Sequence, residues 1–272
     1  IGLDVGSANA VVAVARRGGI DVIANEATRR QTPSLVAFDE HQRRIGESAS
    51  ALRTSTPHRV VEPKALVSLS LQRARHAQRA ARKSLAGEAL HAGTDGELTV
   101  EVEFLKKRQR FAPVHLFAML FAHLRDLAQR DHGAALSDAV LAVPIYYGAQ
   151  QRQAVLDAAE VAGLRPLRLI SDGAAAALDF ALGRRDLPKG DKVVAFVDVG
   201  AAGAQVCVVR FREGALRVLG HAHAKDVGGE ALDELLLHHF ADKIRAEQGV
   251  DPLQSPRASQ RLRQACEKLR RV

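Results

Sequence analysis

Two short stretches carry the residues that could do chemistry. The first, Val194–Val209, is an apolar strand closed by Asp198, a turn of small residues from Gly200 to Gly203, and a second apolar strand. A turn with almost no side chains lets its backbone N–H groups form a concave anion-binding nest. Gly200, Ala201 and Ala202 are therefore candidate phosphate contacts. A carboxylate at the strand end, here Asp198, suits Mg²⁺, which takes one or two carboxylates together with phosphate oxygens and water. A plain strand–turn–strand hairpin is the competing reading, because short glycine motifs are weak on their own.

An internal repeat decides between them. Ile1–Ile23 follows the same plan: apolar strand, Asp4-Val5-Gly6, small turn, apolar strand, glycine turn at Gly18-Gly19, third strand Ile20–Ile23. Asp198 matches Asp4, Gly200 matches Gly6, Arg210 matches Arg16, and Leu216–Leu219 falls near the third strand. Gly6, Ser7 and Ala8 thus join the candidate phosphate contacts. Repeats are sought before isolated motifs, and two widely separated copies suggest two related lobes. Two facing lobes, each with an Asp-x-Gly turn, would clamp a phosphate chain from both sides, with Asp4 and Asp198 holding Mg²⁺ through water.

The elements around these turns alternate between strand and helix. Ser34–Phe38 reads as a strand and Ile45–Leu52 as a helix start, followed by a Pro-bracketed loop carrying Val60-Val61-Glu62-Pro63-Lys64. Leu98–Phe104 alternates apolar and polar residues, the pattern of a half-exposed strand. Val114–Arg130 is an amphipathic helix; Ala139–Val143 is a buried strand ending at Pro144; Gly148–Gly163 is a helix with a glycine cap. Pro166–Ile170 is a strand that leads through Ser171-Asp172 into the Ala-rich helix 174–182. Gly183–Lys192 is charged and is the expected hinge, and Gly228-Gly229-Glu230 opens a helix through Ile244. Strands alternating with helices give an α/β class.

Composition narrows the function. The chain has 272 residues, 47% of them hydrophobic, enough for one large or two modest cores. The net charge of +8 comes from scattered Lys and Arg; the one dense run, Gln72–Lys83, has no interleaved aromatics and reads as a solvated helix face rather than a nucleic-acid platform. Cys207 and Cys266 have no metal or redox spacing, which fits a reducing compartment. His221-x-His223 and His238-His239 lack Cys or carboxylate partners at ligand spacing. No run is long and apolar enough to span a membrane. The chain opens inside a strand at Ile1 and closes inside a helical pattern at Val272, so the expectation is a piece of a longer protein.

The ordered set Ile1–Asn9, Val143–Tyr147 with Gln151-Arg152, Leu169–Asp172, Val197–Gly203, Val227–Glu230 and Ala265–Lys268 resembles the nucleotide-binding domain of the 70-kDa heat-shock chaperone superfamily. The resemblance covers the whole chain. It implies an actin-like (ribonuclease H-like), duplicated two-lobe ATPase domain, with lobe I at 1–183 (outer subdomain 35–110) and an incomplete lobe II at 184–272 (outer subdomain from 221). It implies ATP/ADP and Mg²⁺ as ligands, Asp4 and Asp198 as metal carboxylates, and Gly6, Ser7, Ala8, Gly200, Ala201, Ala202, Gly228 and Gly229 around phosphate and ribose. Lys64 resembles the lysine that orients the attacking water, and Asp172 replaces a Glu near the metal. Pro144 and Arg152 resemble an interlobe switch, and Glu267, Arg270 and Arg271 resemble the residues that bracket adenosine.

The departures point to one branch. The usual Gly-Gly-Gly-Thr turn is Gly200-Ala201-Ala202-Gly203, and the Asp two residues beyond it is Gln205. A Thr-Thr pair is Ser7-Ala8, the following Tyr is Asn9, and a Pro-Thr pair is Gly173-Ala174. Phosphoryl transfer depends on positioning water and neutralising charge, so hydrolysis should be slow while backbone phosphate contacts persist. Together with Gly18–Glu26, Asp186-Leu187-Pro188 and His239–Asp242, these features look closer to the 110-kDa large heat-shock proteins. That branch implies a stress-response cochaperone of the cytoplasm, with the nucleus as a second location. It would act as nucleotide-exchange factor for 70-kDa chaperones and as a holdase for unfolded clients, with no specific nucleic acid and no membrane partner. An ordinary 70-kDa ATPase chaperone is the alternative, and an actin-clan metabolite kinase, which shares Asp-x-Gly turns, a remote one.

Overall fold

Period-two alternation builds the first sheet: Leu3 and Val5 turn into the core while Asp4 between them is exposed, and Ala10, Val12 and Val14 repeat the pattern on the next strand. The computed structural model describes residues 1–52, 60–61, 63–67, 89–92, 98–182, 191–225 and 227–271. The basic run 72–83 and residues 183–190 of the expected hinge lie outside the described residues. In the first half the elements are β1 (Gly2–Val5), β2 (Asn9–Arg16), β3 (Gly19–Val22), β4 (Thr32–Pro33), β5 (Val36–Phe38), β6 (Arg43–Ile45), α1 (Glu47–Leu52), β7 (Val60–Val61), α2 (Pro63–Val67), β8 (Ala89–Ala92), β9 (Leu98–Phe104) and β10 (Lys107–Phe111). They continue with α3 (Pro113–His132), β11 (Asp138–Val143), α4 (Ala149–Val161), β12 (Arg165–Ser171), α5 (Asp172–Leu182), β13 (Lys192–Val199), β14 (Ala204–Arg212), β15 (Ala215–Ala224), α6 (Gly229–Gln248) and α7 (Pro256–Arg270).

The chain divides into two units, Ile1–Asp172 and Gly173–Val272. The division lies upstream of the expected 183/184 boundary. The reason is α5: its Phe180 ring packs against Phe196 of β13 and Phe211 of β14, both at 5.5 Å, so the helix belongs with the second unit.

In the first unit the main sheet has the order β12-β11-β1-β2-β3, with β4 on β2. β1, β11 and β12 run parallel, whereas β2 pairs antiparallel with β1, β3 and β4. The β11–α4–β12 crossover is the connection that parallel strands require. Helix α3 lays Phe117, Leu120, Phe121 and Leu124 onto this sheet, and α4 adds Val155, Ala158 and Ala159. Pro at the first position starts α3, and left-handed Gly133 (φ 76°) ends it. A second core of Val36, Phe38, Leu66, Val100 and Leu116 joins the small sheets β6-β5-β7 and β10-β9-β8 to the other end of α3.

The second unit is the antiparallel meander β13-β14-β15 with α5, α6 and α7. One face of β14 carries Gln205, Cys207, Val209 and Phe211, all buried. Both repeats fold as the expected strand–turn–strand units, and Gly19 and Gly214 take the positive φ of the second turn in each copy. The second copy runs further before that turn, so Arg212, not Arg210, stands where Arg16 stands in the first: Arg16 pairs with Gly19 and Arg212 with Ala215. Helix α6 passes the expected Ile244 and stops only at left-handed Gly249. The β10 strand was not foreseen, because Lys107-Arg108-Gln109-Arg110 has no apolar alternation.

Candidate functional site

Each unit carries one of the two turns, and both close in the same way. The Gly6 N–H donates to the Asn9 carbonyl at 2.9 Å, and the Gly200 N–H donates to the Gly203 carbonyl at 2.9 Å. Glycine is required for space at Gly6, where a Cβ would lie 2.6 Å from the Asn9 oxygen; at Gly200 a Cβ would be a tight 3.3 Å from the Gly203 oxygen. The loop residues between, Ser7-Ala8 and Ala201-Ala202, keep negative φ. The identity of the two closures is the structural counterpart of the repeat seen in the sequence.

In the first unit, parallel pairing gathers the candidate residues at one end of the sheet. Asp4 on β1 is level with Ala142 on β11, and Val143 on β11 is level with Ser171 on β12. The C-terminal ends of β1, β11 and β12 therefore deliver Asp4, Pro144 and Asp172 to the same edge, the end at which open α/β sheets bind ligands. Asp172 is the first residue of α5, where a carboxylate complements the helix dipole. The Ala8 carbonyl, in the turn after Asp4, accepts from the Ser34 N–H at 2.9 Å.

Arg152 is tied into the segment that follows Pro144. Its Nε donates to the Tyr147 carbonyl at 2.8 Å, while the Tyr147 N–H donates to the Pro144 carbonyl at 3.1 Å. The Gln151 side chain accepts from the Gly148 N–H at 2.9 Å and fixes the start of α4. Pro144 and Arg152 are thus two ends of one hydrogen-bonded turn. Lys64 stands in the first turn of α2 and is only 9% exposed. An ammonium group so placed is far from the usual solvated lysine.

In the second unit, Asp198 and Gln205 are directly opposed on β13 and β14. The Gln205 amide donates from Nε2 to Asp198 Oδ2 at 2.9 Å. The residue that departs from the resembled pattern therefore acts on the candidate metal carboxylate itself. Gly203 also has a local reason: a Cβ there would stand 3.0 Å from the Ala224 carbonyl of β15, so the turn presses on the neighbouring strand. Gly173 is explained the same way, since its Cβ would lie 2.5 Å from Cys207 Cβ.

Gly228 and Gly229 meet this turn from the α6 side. The Gly229 N–H donates to the Gly200 carbonyl at 3.0 Å, and the Glu230 N–H to the Ala201 carbonyl at 2.8 Å. Arg270 on α7 makes a two-point pair with Asp233 on α6, at 2.6 and 3.0 Å, and its guanidinium lies against Gly229. That pair, with the neighbouring acids, raises the Arg270 pKa above its ordinary value. Arg271 pairs instead with Glu267 on its own helix at 2.6 Å and is exposed. Asp233 was missed by sequence reading; its only signal was a carboxylate one helical turn beyond Gly229-Glu230, on the helix that faces α7.

The cysteines take no part. Cys207 and Cys266 are free and buried, and burial pushes both thiols up in pKa, which keeps them protonated and unreactive. Among the described residues no cluster of three or more His, Cys, Asp or Glu side chains is placed to hold a metal ion. No described helix is long and apolar enough to cross a membrane.

With that geometry in place, comparison with known proteins gives a consistent result. The Hsp70 protein family matches residues 1–272. Heat shock 70 kDa protein 14 of Arabidopsis thaliana is 38% identical over 274 residues, covering 100% of this chain and 33% of that protein. A heat shock protein homolog of the SSE type from Saccharomyces cerevisiae is 34% identical over 275 residues, covering 100% of this chain and 39% of its own length. The chain thus spans between a third and two-fifths of the length of these relatives.

Proposed function

This chain belongs to the Hsp70 family, and within that family we propose that it is an ATP·Mg²⁺-binding domain that holds nucleotide more than it hydrolyses it. The observation that carries this reading is the pairing at Asp198. Gln205, a neutral amide, donates to the carboxylate at 2.9 Å where the resembled pattern has a second Asp. A neutral donor keeps Asp198 oriented for a cation but can neither take a proton nor add negative charge. Losing such a group is expected to cost on the order of tenfold to a thousandfold in rate, while the backbone of both turns is unaffected.

The donor set suits Mg²⁺. Asp4 and Asp198 are hard oxygen donors on exposed strand ends beside turns of small residues. They would hold the ion, which when bound neutralises phosphate charge. Gly6 and Gly200 close the two turns, within which Ser7, Ala8, Ala201 and Ala202 would receive phosphate oxygens, and Arg270, fixed by Asp233, would present its guanidinium plane to adenosine with Glu267 and Arg271. The fold we read as actin-like with a ribonuclease H-like core, in support of which stands the β3-β2-β1-β11-β12 order of the first unit.

The names of the relatives extend the proposal to the whole protein. Those called heat shock protein homologs of the SSE type, from Lachancea kluyveri and Saccharomyces cerevisiae, agree with the branch suggested by the departures at Gly203 and Gln205. We therefore infer a cytoplasmic nucleotide-exchange factor and holdase that works with a 70-kDa heat-shock chaperone and unfolded clients. The test is ADP release from such a chaperone with and without the intact protein plus ATP; acceleration is expected, and an unchanged rate overturns the exchange role. One observation favours a second reading, that of an ordinary ATPase chaperone: Lys64 is nearly buried, as a water-orienting lysine would be. Single-turnover ATP hydrolysis separates them, since a rate no better than that of the Asp4→Asn variant excludes the ATPase.

A further inference from the structure

Gly228 and Gly229 were expected beside the phosphate and ribose, yet the Gly229 N–H and that of the following Glu230 are committed to the turn itself. The carbonyls of Gly200 and Ala201 accept from the N–H groups of Gly229 and Glu230, at 3.0 and 2.8 Å. In a planar trans peptide the C=O and N–H of one unit point in opposite directions. Two consecutive carbonyls turned toward α6 therefore turn the N–H groups of Ala201 and Ala202 away from it. Two successive N–H groups aimed the same way are what an anion nest consists of. The free N–H groups at a helix start are also its positive end, so α6 attracts the carbonyls it holds.

We propose that the N-terminus of α6 is a brace that aims the Ala201 and Ala202 N–H groups at the nucleotide's phosphate, with Gly228 and Gly229 as positioning residues. The packing supports this. A Cβ on Gly228 would lie 2.6 Å from the Ala201 oxygen, 2.7 Å from the Gly203 nitrogen and 3.0 Å from the Gly200 oxygen, all backbone atoms of the turn. The backbone of Gly228 is extended (φ −170°, ψ −178°), which any residue adopts. Glycine at 228 is thus demanded by the closeness of the turn, and any side chain there lifts the turn off α6.

This inference rests on reading the turn as a phosphate seat, and the experiment separates the two. ATP, ADP and adenosine are titrated calorimetrically into the full-length protein and its Gly228→Ala variant. The expected result is a loss of about tenfold or more in ATP and ADP affinity, equivalent to about 1.4 kcal/mol, with adenosine affinity held within about twofold. An equal loss for adenosine would mean general damage to the second unit and would overturn the brace, as would no loss for any ligand. If the unsubstituted protein binds ATP no more tightly than adenosine, the phosphate seat itself fails.

A second pair of variants isolates the hydrogen bond. Gly229→Ala and Gly229→Pro both crowd the Arg270 guanidinium, 2.9 Å from a Cβ at that position. Only proline also removes the N–H given to Gly200, and proline is well suited to the first helical position. The ratio of ATP to adenosine affinity should fall in Gly229→Pro relative to Gly229→Ala; equal ratios overturn the role of that bond.

Discussion

Replacing Gln205 by Asp probes the pairing on which the proposed function rests. The side chain at 205 is 9% exposed and lies directly across the ladder from Asp198, whose carboxylate now accepts from the Gln205 amide at 2.9 Å. The substitution replaces an attraction with two facing carboxylates. At a separation of about 4 Å such a pair repels by about 1 kcal/mol in water and about 4 kcal/mol at the effective dielectric of a protein surface. Asp198 is exposed, so the lower half of that range applies, about 1–2 kcal/mol. For a chain of this size the melting temperature should fall by about 2–4 °C per kcal/mol. In excess Mg²⁺ the same pair becomes a divalent-cation site, and binding to the folded state alone stabilises it. The assay is thermal unfolding of the Gln205→Asp protein, with Gln205→Leu as the uncharged comparator, each with EDTA and with excess Mg²⁺. Gln205→Asp should lose stability in EDTA and regain most of it in Mg²⁺, whereas Gln205→Leu, which adds no carboxylate beside Asp198, should respond to the ion much less. An equal loss for Gln205→Asp in both conditions would refute the claim that Asp198 and position 205 face a common cation site.

Other expectations are independent of nucleotide. His123 on α3 is pushed below the usual histidine pKa by burial, against the opposing pull of Glu26, 3.2 Å away, and Asp126; Arg130 adds to the depression. A depressed folded-state pKa stabilises the protein above the unfolded value of about 6.5 and loses that contribution as pH falls below it. Denaturant midpoints should therefore drop between about pH 7.5 and about pH 5.5 more in the parent than in His123→Gln; parallel pH profiles would count against it. Gly173→Ala brings a Cβ to 2.5 Å from Cys207 Cβ and should cost about 1–3 kcal/mol by overpacking, read as a lower denaturant midpoint at constant slope; a neutral result would show that α5 can slide on β14. Arg270→Ala should weaken adenosine binding more than Arg271→Ala does, because only Arg270 is held by a two-point pair to another helix; the reverse order in calorimetry would remove Arg270 from the adenosine site.

Much of this was legible in the sequence, and the reasons differ from residue to residue. The two hairpins were legible because alternation with period two is local, and because Gly6 and Gly200 each open a turn closed over four residues. The gathering of Asp4, Pro144 and Asp172 was legible only through the strands that end beside them, since parallel pairing sets their level. The edge strand β10 was not, because its polar residues carry no period. Arg270 was singled out, yet Asp233, which fixes it, lies 37 residues away on another helix and left no motif. Charge and glycine content mark residues 183–192 as a hinge, whereas the packing of Phe180 on Phe196 and Phe211, which places α5 against β13 and β14, is a tertiary contact without a local signal.

What the two copies share and what they do not also bears on mechanism. The closing bond from Gly6 to Asn9 and from Gly200 to Gly203 is common, so the turn shape is a property of the duplicated hairpin. The support behind it is not. In the first unit a carbonyl of the turn, that of Ala8, rests on the Ser34 backbone beside the sheet. In the second, two carbonyls rest on the start of a 20-residue helix. A turn propped by its own sheet moves only when the sheet does. A turn propped by α6 follows the tilt of that helix, which is tied to α7 through Asp233–Arg270 and Glu234–Arg263. Within the second unit, then, the phosphate seat and the proposed adenosine residue share one rigid connection, and a ligand that orders one of them lowers the entropic cost of ordering the other. Cutting that connection with Asp233→Asn should leave the affinity for tripolyphosphate unchanged while reducing the extra affinity that ATP gains over it. A proportional loss for both ligands would show that α6 and α7 act on the turn as a general scaffold and carry no coupling between the two ends of the nucleotide.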